Sequence, residues 1–132
     1  MKKIILSIFV LFNFVFAEVV DTHITPKVVD SGIKIVDIRT KTEWKQTGII
    51  KGSKTITFFD KDGRYDVKKF LEALDGYIKP DEKFAIVCRT GHRTKIVSKF
   101  LGDNGYSVVN LVGGIYALAK QNYKFVKYEE SK

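Results

Sequence analysis

The chain has 132 residues, enough for one domain and hardly more. Its apolar fraction of 45 % and charged fraction of 29 % exclude a disordered chain. The formal charge of +8 comes from scattered lysines in no run longer than two, which argues against a nucleic-acid-binding stripe, and the one cysteine excludes an intramolecular disulfide, a Cys-x-x-Cys redox pair and a multi-cysteine zinc site.

Lys2 and Lys3 precede an apolar run of 13 residues, Ile4 to Phe16, and then Ala17. A basic start, an apolar centre and small residues before a cut make a secretory signal peptide. Val15 and Ala17 set the cut before Glu18. A spanning helix needs roughly 20 apolar residues, so this run, interrupted by Asn13, is short for a membrane anchor. The expectation is a leader over 1–17, a mature domain over 18–132 with its core at about 25–126, export to the bacterial periplasm, and no stable membrane insertion after cleavage. Removing the leader leaves 21 basic and 15 acidic residues, net +6. An unpaired cysteine in an oxidising compartment then needs an explanation.

Thr25-Pro26 predicts a short helix, with Thr25 as cap and Pro26 in the first turn, stopping before Gly32. The β-branched run Ile33 to Ile38 reads as a strand. A helical piece follows at Thr42 to Gln46, then a strand at Lys54 to Phe59 and a loop at Asp60 to Asp66. Val67, Phe70, Leu71 and Leu74 have the spacing of an amphipathic helix ending at Gly76. Pro80-Asp81 turns the chain into Phe84 to Val87, a wholly apolar strand of the buried kind. Ile96, Val97, Phe100 and Leu101 mark a helix from Arg93 to about Asn104. Ser107 to Leu111 is a strand, and Gly113-Gly114 opens a last helix to about Gln121. Strands alternating with helices call for an α/β fold with a mostly parallel central sheet flanked by helices on both faces. Active sites of such sheets lie beyond the carboxyl ends of the strands, where Cys88 sits.

Cys88-Arg89-Thr90-Gly91-His92-Arg93, followed by Thr94, links the buried strand to a helix. Amides in such a turn can converge above the sulfur as an anion nest, and the helix adds its positive end. Gly91 permits a positive φ or close approach. Arg89, Arg93 and a protonated His92 add positive character. All of this favours a reactive thiolate over an inert core thiol. Asp37 and Arg39 read as a structural ion pair beneath the loop, and His92 as a loop-surface residue rather than a general base.

Three blocks resemble the rhodanese (thiosulfate sulfurtransferase) family over about Thr25 to Val126. They are Ile35-Val-Asp37-Ile-Arg39 with Glu43-Trp44, Gly48-Ile49 and Gly52; the loop Cys88 to Arg93 with Thr94; and Asn110-Leu-Val-Gly113-Gly114-Ile115. The resemblance implies a rhodanese-like fold and a double displacement. Cys88 takes a sulfane sulfur from a donor such as thiosulfate and passes it to a thiophilic acceptor, cyanide or a thiol, which includes a protein thiol. Arg93 would hold donor oxygens with help from Arg89, and the amides from Arg89 to Arg93 would stabilise the persulfide. Thr94 would bond the sulfur or cap the helix. No metal or organic cofactor is needed. The segment Thr47-Gly48-Ile49 lacks the family's histidine, Leu118 stands where many members have tryptophan, and Asn122 lies near a common glycine. These departures leave substrate choice open. Two alternatives stand beside this reading. One is a non-enzymatic persulfide carrier or docking module. The other is a phosphatase or arsenate reductase on a related fold, whose loop carries five residues between cysteine and arginine where this one carries four.

Overall fold

The computed structural model describes residues 17–131. The leader expected at the start of the chain lies, apart from Ala17, outside the described residues. Five parallel strands form one sheet in the order β1-β5-β4-β2-β3. They are β1 (Val19–His23), β2 (Ile35–Asp37), β3 (Lys54–Thr55), β4 (Phe84–Val87) and β5 (Val108–Val112). The helices are α1 (Pro26–Val29), α2 (Lys41–Thr47), α3 (Val67–Asp75), α4 (His92–Asp103) and α5 (Gly114–Ala119).

β4 is central and all four of its residues are buried, as its uninterrupted apolar sequence requires. Its side chains alternate between two cores. Phe84, Ile86 and Cys88 join Phe70, Leu74, Val97 and Leu101, the apolar faces of α3 and α4. Ala85 and Val87 join Val29, Ile115 and Leu118 from α1 and α5. Helices therefore cover both faces, as the alternation predicts.

The caps fix the helix starts. Thr25 Oγ1 accepts the Val28 N–H at 3.2 Å, with Pro26 in the first turn. Thr40 and Glu43 form a reciprocal capping box at α2.

Three differences from the sequence reading have physical causes. β1 was not foreseen, because as an edge strand it buries little and offers a weak apolar pattern. It pairs along its length with β5, so the sheet begins before the core expected at residue 25. β3 is shorter than Lys54 to Phe59, because its only neighbour is the three-residue β2. Ile56 and Phe58 still donate to the carbonyls of Asp37 and Ile38, at 3.0 and 3.1 Å. The last helix stops at Ala119 rather than Gln121, and Asn122 turns with φ 59°.

Candidate active site

Cys88 stands where β4 ends, with its side chain turned toward α4. The loop from Arg89 closes at Gly91, whose φ of 99° starts α4. A Cβ at Gly91 would lie 3.2 Å from the Gly113 amide nitrogen, so both conformation and space call for glycine. The Gly91 N–H donates to Cys88 Sγ at 3.1 Å, and Thr94 Oγ1 lies 3.6 Å from the same sulfur. Thr94 Oγ1 also donates to the Gly91 carbonyl at 3.3 Å. Its hydroxyl can accept from a thiol or rotate to donate to a thiolate. No side chain caps α4, so the first-turn N–H groups are left to the loop mouth and to any anion there.

The loop is clamped from the opposite side by α5. Ile115 and Tyr116 donate their N–H groups to the Cys88 and Arg89 carbonyls at 3.0 and 2.9 Å. A trans peptide directs the following amides, those of Arg89 and Thr90, away from α5. This clamp needs Gly114, since a Cβ there would meet the Arg89 carbonyl oxygen at 2.5 Å.

Charge is arranged in two tiers. Below the loop, Asp37 and Arg39 are completely buried. Arg39 Nε and Nη2 reach the two Asp37 oxygens at 3.0 and 2.9 Å, Nη1 reaches Thr47 Oγ1 at 2.9 Å, and Nη2 also reaches the Gly48 carbonyl at 3.0 Å. Both Asp37 oxygens and all three Arg39 guanidinium nitrogens have partners, as a buried ion pair requires. Above it, Arg93 grips Glu43 with two bonds of 2.8 and 2.7 Å, and Glu43 is held by the Thr40 N–H at 3.0 Å. Burial alone pushes the Glu43 carboxyl up, but bonds from Arg93 and Thr40 outweigh it and hold the group at about 2. Bonding to Glu43 likewise raises the Arg93 pKa against desolvation.

The guanidinium of Arg93, the residue expected to hold donor oxygens, is bound by Glu43, which makes it a brace between α4 and α2. Arg89, expected to help it, is unengaged. It is exposed, and among the described residues its guanidinium makes no hydrogen bond or ion pair. Arg89 and Glu43 form the shared wall of two clefts. One, of about 350 Å³, is mostly apolar and lies between α2 and α5. The other, of about 760 Å³, is broader and holds Lys41, Thr57, Lys61 and Arg93.

The rhodanese-like domain matches residues 18–121. The chain belongs to the rhodanese-like domain family. "Rhodanese-like domain-containing protein 17" of Arabidopsis thaliana is 25 % identical over 122 residues, which span 84 % of this chain and 78 % of that protein. "Putative sulfurtransferase YtwF" of Bacillus subtilis (strain 168) is 35 % identical over 52 residues, 39 % of this chain and 47 % of the relative's length. The crystal structure of a rhodanese-like domain protein from Staphylococcus aureus superposes with a TM-score of 0.57 at 24 % identity, covering 83 % of this chain and 99 % of that one.

The rhodanese-like domain thus brings together Cys88, Gly91 and Thr94 around the sulfur, with Asp37 and Arg39 beneath. Thr90 and His92 are exposed on the loop surface. Two residues of the site were named in the sequence only as parts of motifs. Glu43 could have been found from the capping-box spacing Thr40-x-x-Glu43. Gly114 could have been found only from its close approach to the loop carbonyls.

Proposed function

We propose that the domain is a sulfurtransferase working through a Cys88 persulfide. The Cys88 thiolate attacks the outer sulfur of a donor such as thiosulfate. The S–S bond of the donor breaks, sulfite leaves with the electron pair, and Cys88 keeps the sulfur. A thiophilic acceptor, cyanide or a thiol, then attacks that outer sulfur and Cys88 leaves as thiolate. Cyanide attacks as an anion and a thiol as its thiolate, so no general base is invoked in either step.

The reading rests on one observation. The sulfur accepts a main-chain N–H at 3.1 Å beside a helix start with no side-chain cap. That surrounding favours a compact monoanion, and a persulfide is one. Arg89 is the cation available to donor oxygens. Cys88 is 1 % exposed, so the loop over it must open to admit the donor.

The proposal includes export, with cleavage before Glu18 and residence in the periplasm. The Glu18 carbonyl accepts the Val108 N–H at 2.9 Å, so the first residue after the cut already belongs to the sheet. The mass of protein from the periplasmic fraction tests this, and a retained leader would refute it.

Steady-state transfer from thiosulfate to cyanide, followed as thiocyanate, tests the chemistry. Parallel double-reciprocal lines, the mark of a double displacement, are expected. Intersecting lines, or turnover in Cys88→Ser, would refute it.

A further inference from the structure

The match to the rhodanese-like domain ends at residue 121, and the segment that follows runs back across α2. Tyr123, Phe125 and Tyr128 in it are half-buried, while the residues between and after them are exposed, so one side of an irregular segment faces the domain. Ile49 and Val126 exchange two main-chain bonds of 2.9 Å, and the Lys51 N–H donates to Tyr123 Oη at 3.3 Å. A Cβ at Gly48 would lie 2.6 Å from the Val126 carbonyl oxygen, so the crossing needs glycine there. Phe125 becomes a wall of the apolar cleft between α2 and α5. Farther on, the Tyr128 ring packs on Trp44 at 5.2 Å between centres, and Glu130 pairs with Lys41 and Lys45.

α2 depends on this crossing. It has seven residues, well below the ~12–15 at which an isolated helix becomes even marginally stable in water, so packing must hold it. Its one buried residue is Trp44, which belongs to neither of the two cores of the sheet. The Trp44 Nε1–H has no hydrogen-bond partner among the described residues, so contact rather than bonding fixes the indole, and Tyr128 supplies a ring for it. Glu43, the residue before Trp44, holds Arg93 with two bonds of 2.8 and 2.7 Å. What fixes α2 therefore fixes the brace on the start of α4, where the Gly91 N–H meets Cys88 Sγ.

We propose that the segment 123–130 is a strap for α2, and that Tyr128 is a positioning residue for persulfide loading, acting through Trp44, Glu43 and Arg93. This role rests on the sulfurtransferase reading and adds to it a part of the chain beyond the family match. In loading, the Cys88 thiolate forms a bond to the outer sulfur of thiosulfate and sulfite leaves with the electron pair of the broken S–S bond. Tyr128 touches neither reactant. It keeps the amides of the loop aimed at the sulfur, which preorganisation requires. Tyr128 lines neither of the clefts that Arg89 shares, so loading and donor capture are separable.

The test is single-turnover loading of the mature chain from thiosulfate, followed by mass. A misplacement of about 1 Å far from the chemistry can cost about a hundredfold; acting through one intervening ion pair, Tyr128→Ala should slow saturated loading roughly tenfold. The half-saturating thiosulfate concentration should stay within about twofold, since Arg89 is untouched. Tyr128→Phe keeps the ring and should load like the unmodified protein. Adding Tyr128→Ala to Glu43→Gln should slow loading no further than Glu43→Gln alone, because both act through Arg93. Trp44 is the one tryptophan of the chain, so its quenching by acrylamide reports the strap directly and should rise in Tyr128→Ala but not in Tyr128→Phe. Should Tyr128→Ala fail to fold, Tyr128→Leu keeps an apolar side chain and is read in the same way. Unchanged loading in the truncated variant, or losses that multiply in the double variant, would overturn the positioning role. An unmodified protein that does not load refutes the sulfurtransferase reading and the role built on it, whereas unchanged Trp44 quenching in Tyr128→Ala refutes the strap alone.

Discussion

Glu43→Gln isolates the charge that braces Arg93, because glutamine keeps the shape and hydrogen-bonding reach of the side chain. The pair has side chains 23 % and 21 % exposed, with two short bonds. An exposed pair contributes about 0–1 kcal/mol, while breaking a fully buried one costs about 3–5 kcal/mol. Hydrogen bonds to charged groups contribute roughly 1.5–3 kcal/mol. At this intermediate exposure the variant should lose about 2 kcal/mol at pH 7, or roughly 10 °C in Tm for a domain of this size. The pH dependence has a definite sign. A carboxyl lowered from 4.5 to about 2 adds stability that is fully present above 4.5 and is lost as pH falls toward 2. Melting both proteins from pH 7 down to pH 2.5 should show the gap shrink below pH 4.5. A gap that is absent at pH 7, or that does not change with pH, would refute the argument that this ion pair holds α4 to α2.

Asp37→Asn should be more damaging. It leaves Arg39 completely buried without its counter-charge, at a cost of about 3–5 kcal/mol, and urea unfolding would measure it. Gly114→Ala places a Cβ 2.5 Å from the Arg89 carbonyl oxygen at a φ of 63°, so it should cost roughly 1–3 kcal/mol or more and slow persulfide loading by shifting the loop. Arg89→Ala should raise KM for thiosulfate about tenfold while Tm stays within a degree or two, since this side chain is exposed and holds nothing in place. Equal losses of KM and Tm would show that Arg89 supports the loop instead. Cys88→Ser should keep its Tm and lose all sulfur transfer, because the hydroxyl still satisfies the Gly91 N–H but is a poor nucleophile.

The parts of the fold that announce themselves by burial were legible in the sequence. β4 is four apolar residues in a row, and α3 repeats its apolar face over two turns. Cys88, Gly91 and Thr94 were readable because a glycine-containing, basic strand-to-helix turn has few uses. β1 was not readable, since its contribution is main-chain pairing with β5 and leaves little apolar signal. The pairing of Arg93 with Glu43 was not readable either. It depends on Glu43, fifty residues away, reaching Arg93 through the fold. Local spacing could cap α2 with Glu43 but could not say what its second oxygen would meet. The Phe125 wall of the apolar cleft likewise depends on the Ile49–Val126 bridge, a long-range contact between two segments that look like loops.

Intact mass spectrometry of the mature chain after thiosulfate treatment tests the central claim most directly. The account predicts a gain of one sulfur atom, confined to Cys88 and removed by cyanide. An unchanged mass under native conditions, or a gain that persists in Cys88→Ser, would contradict it.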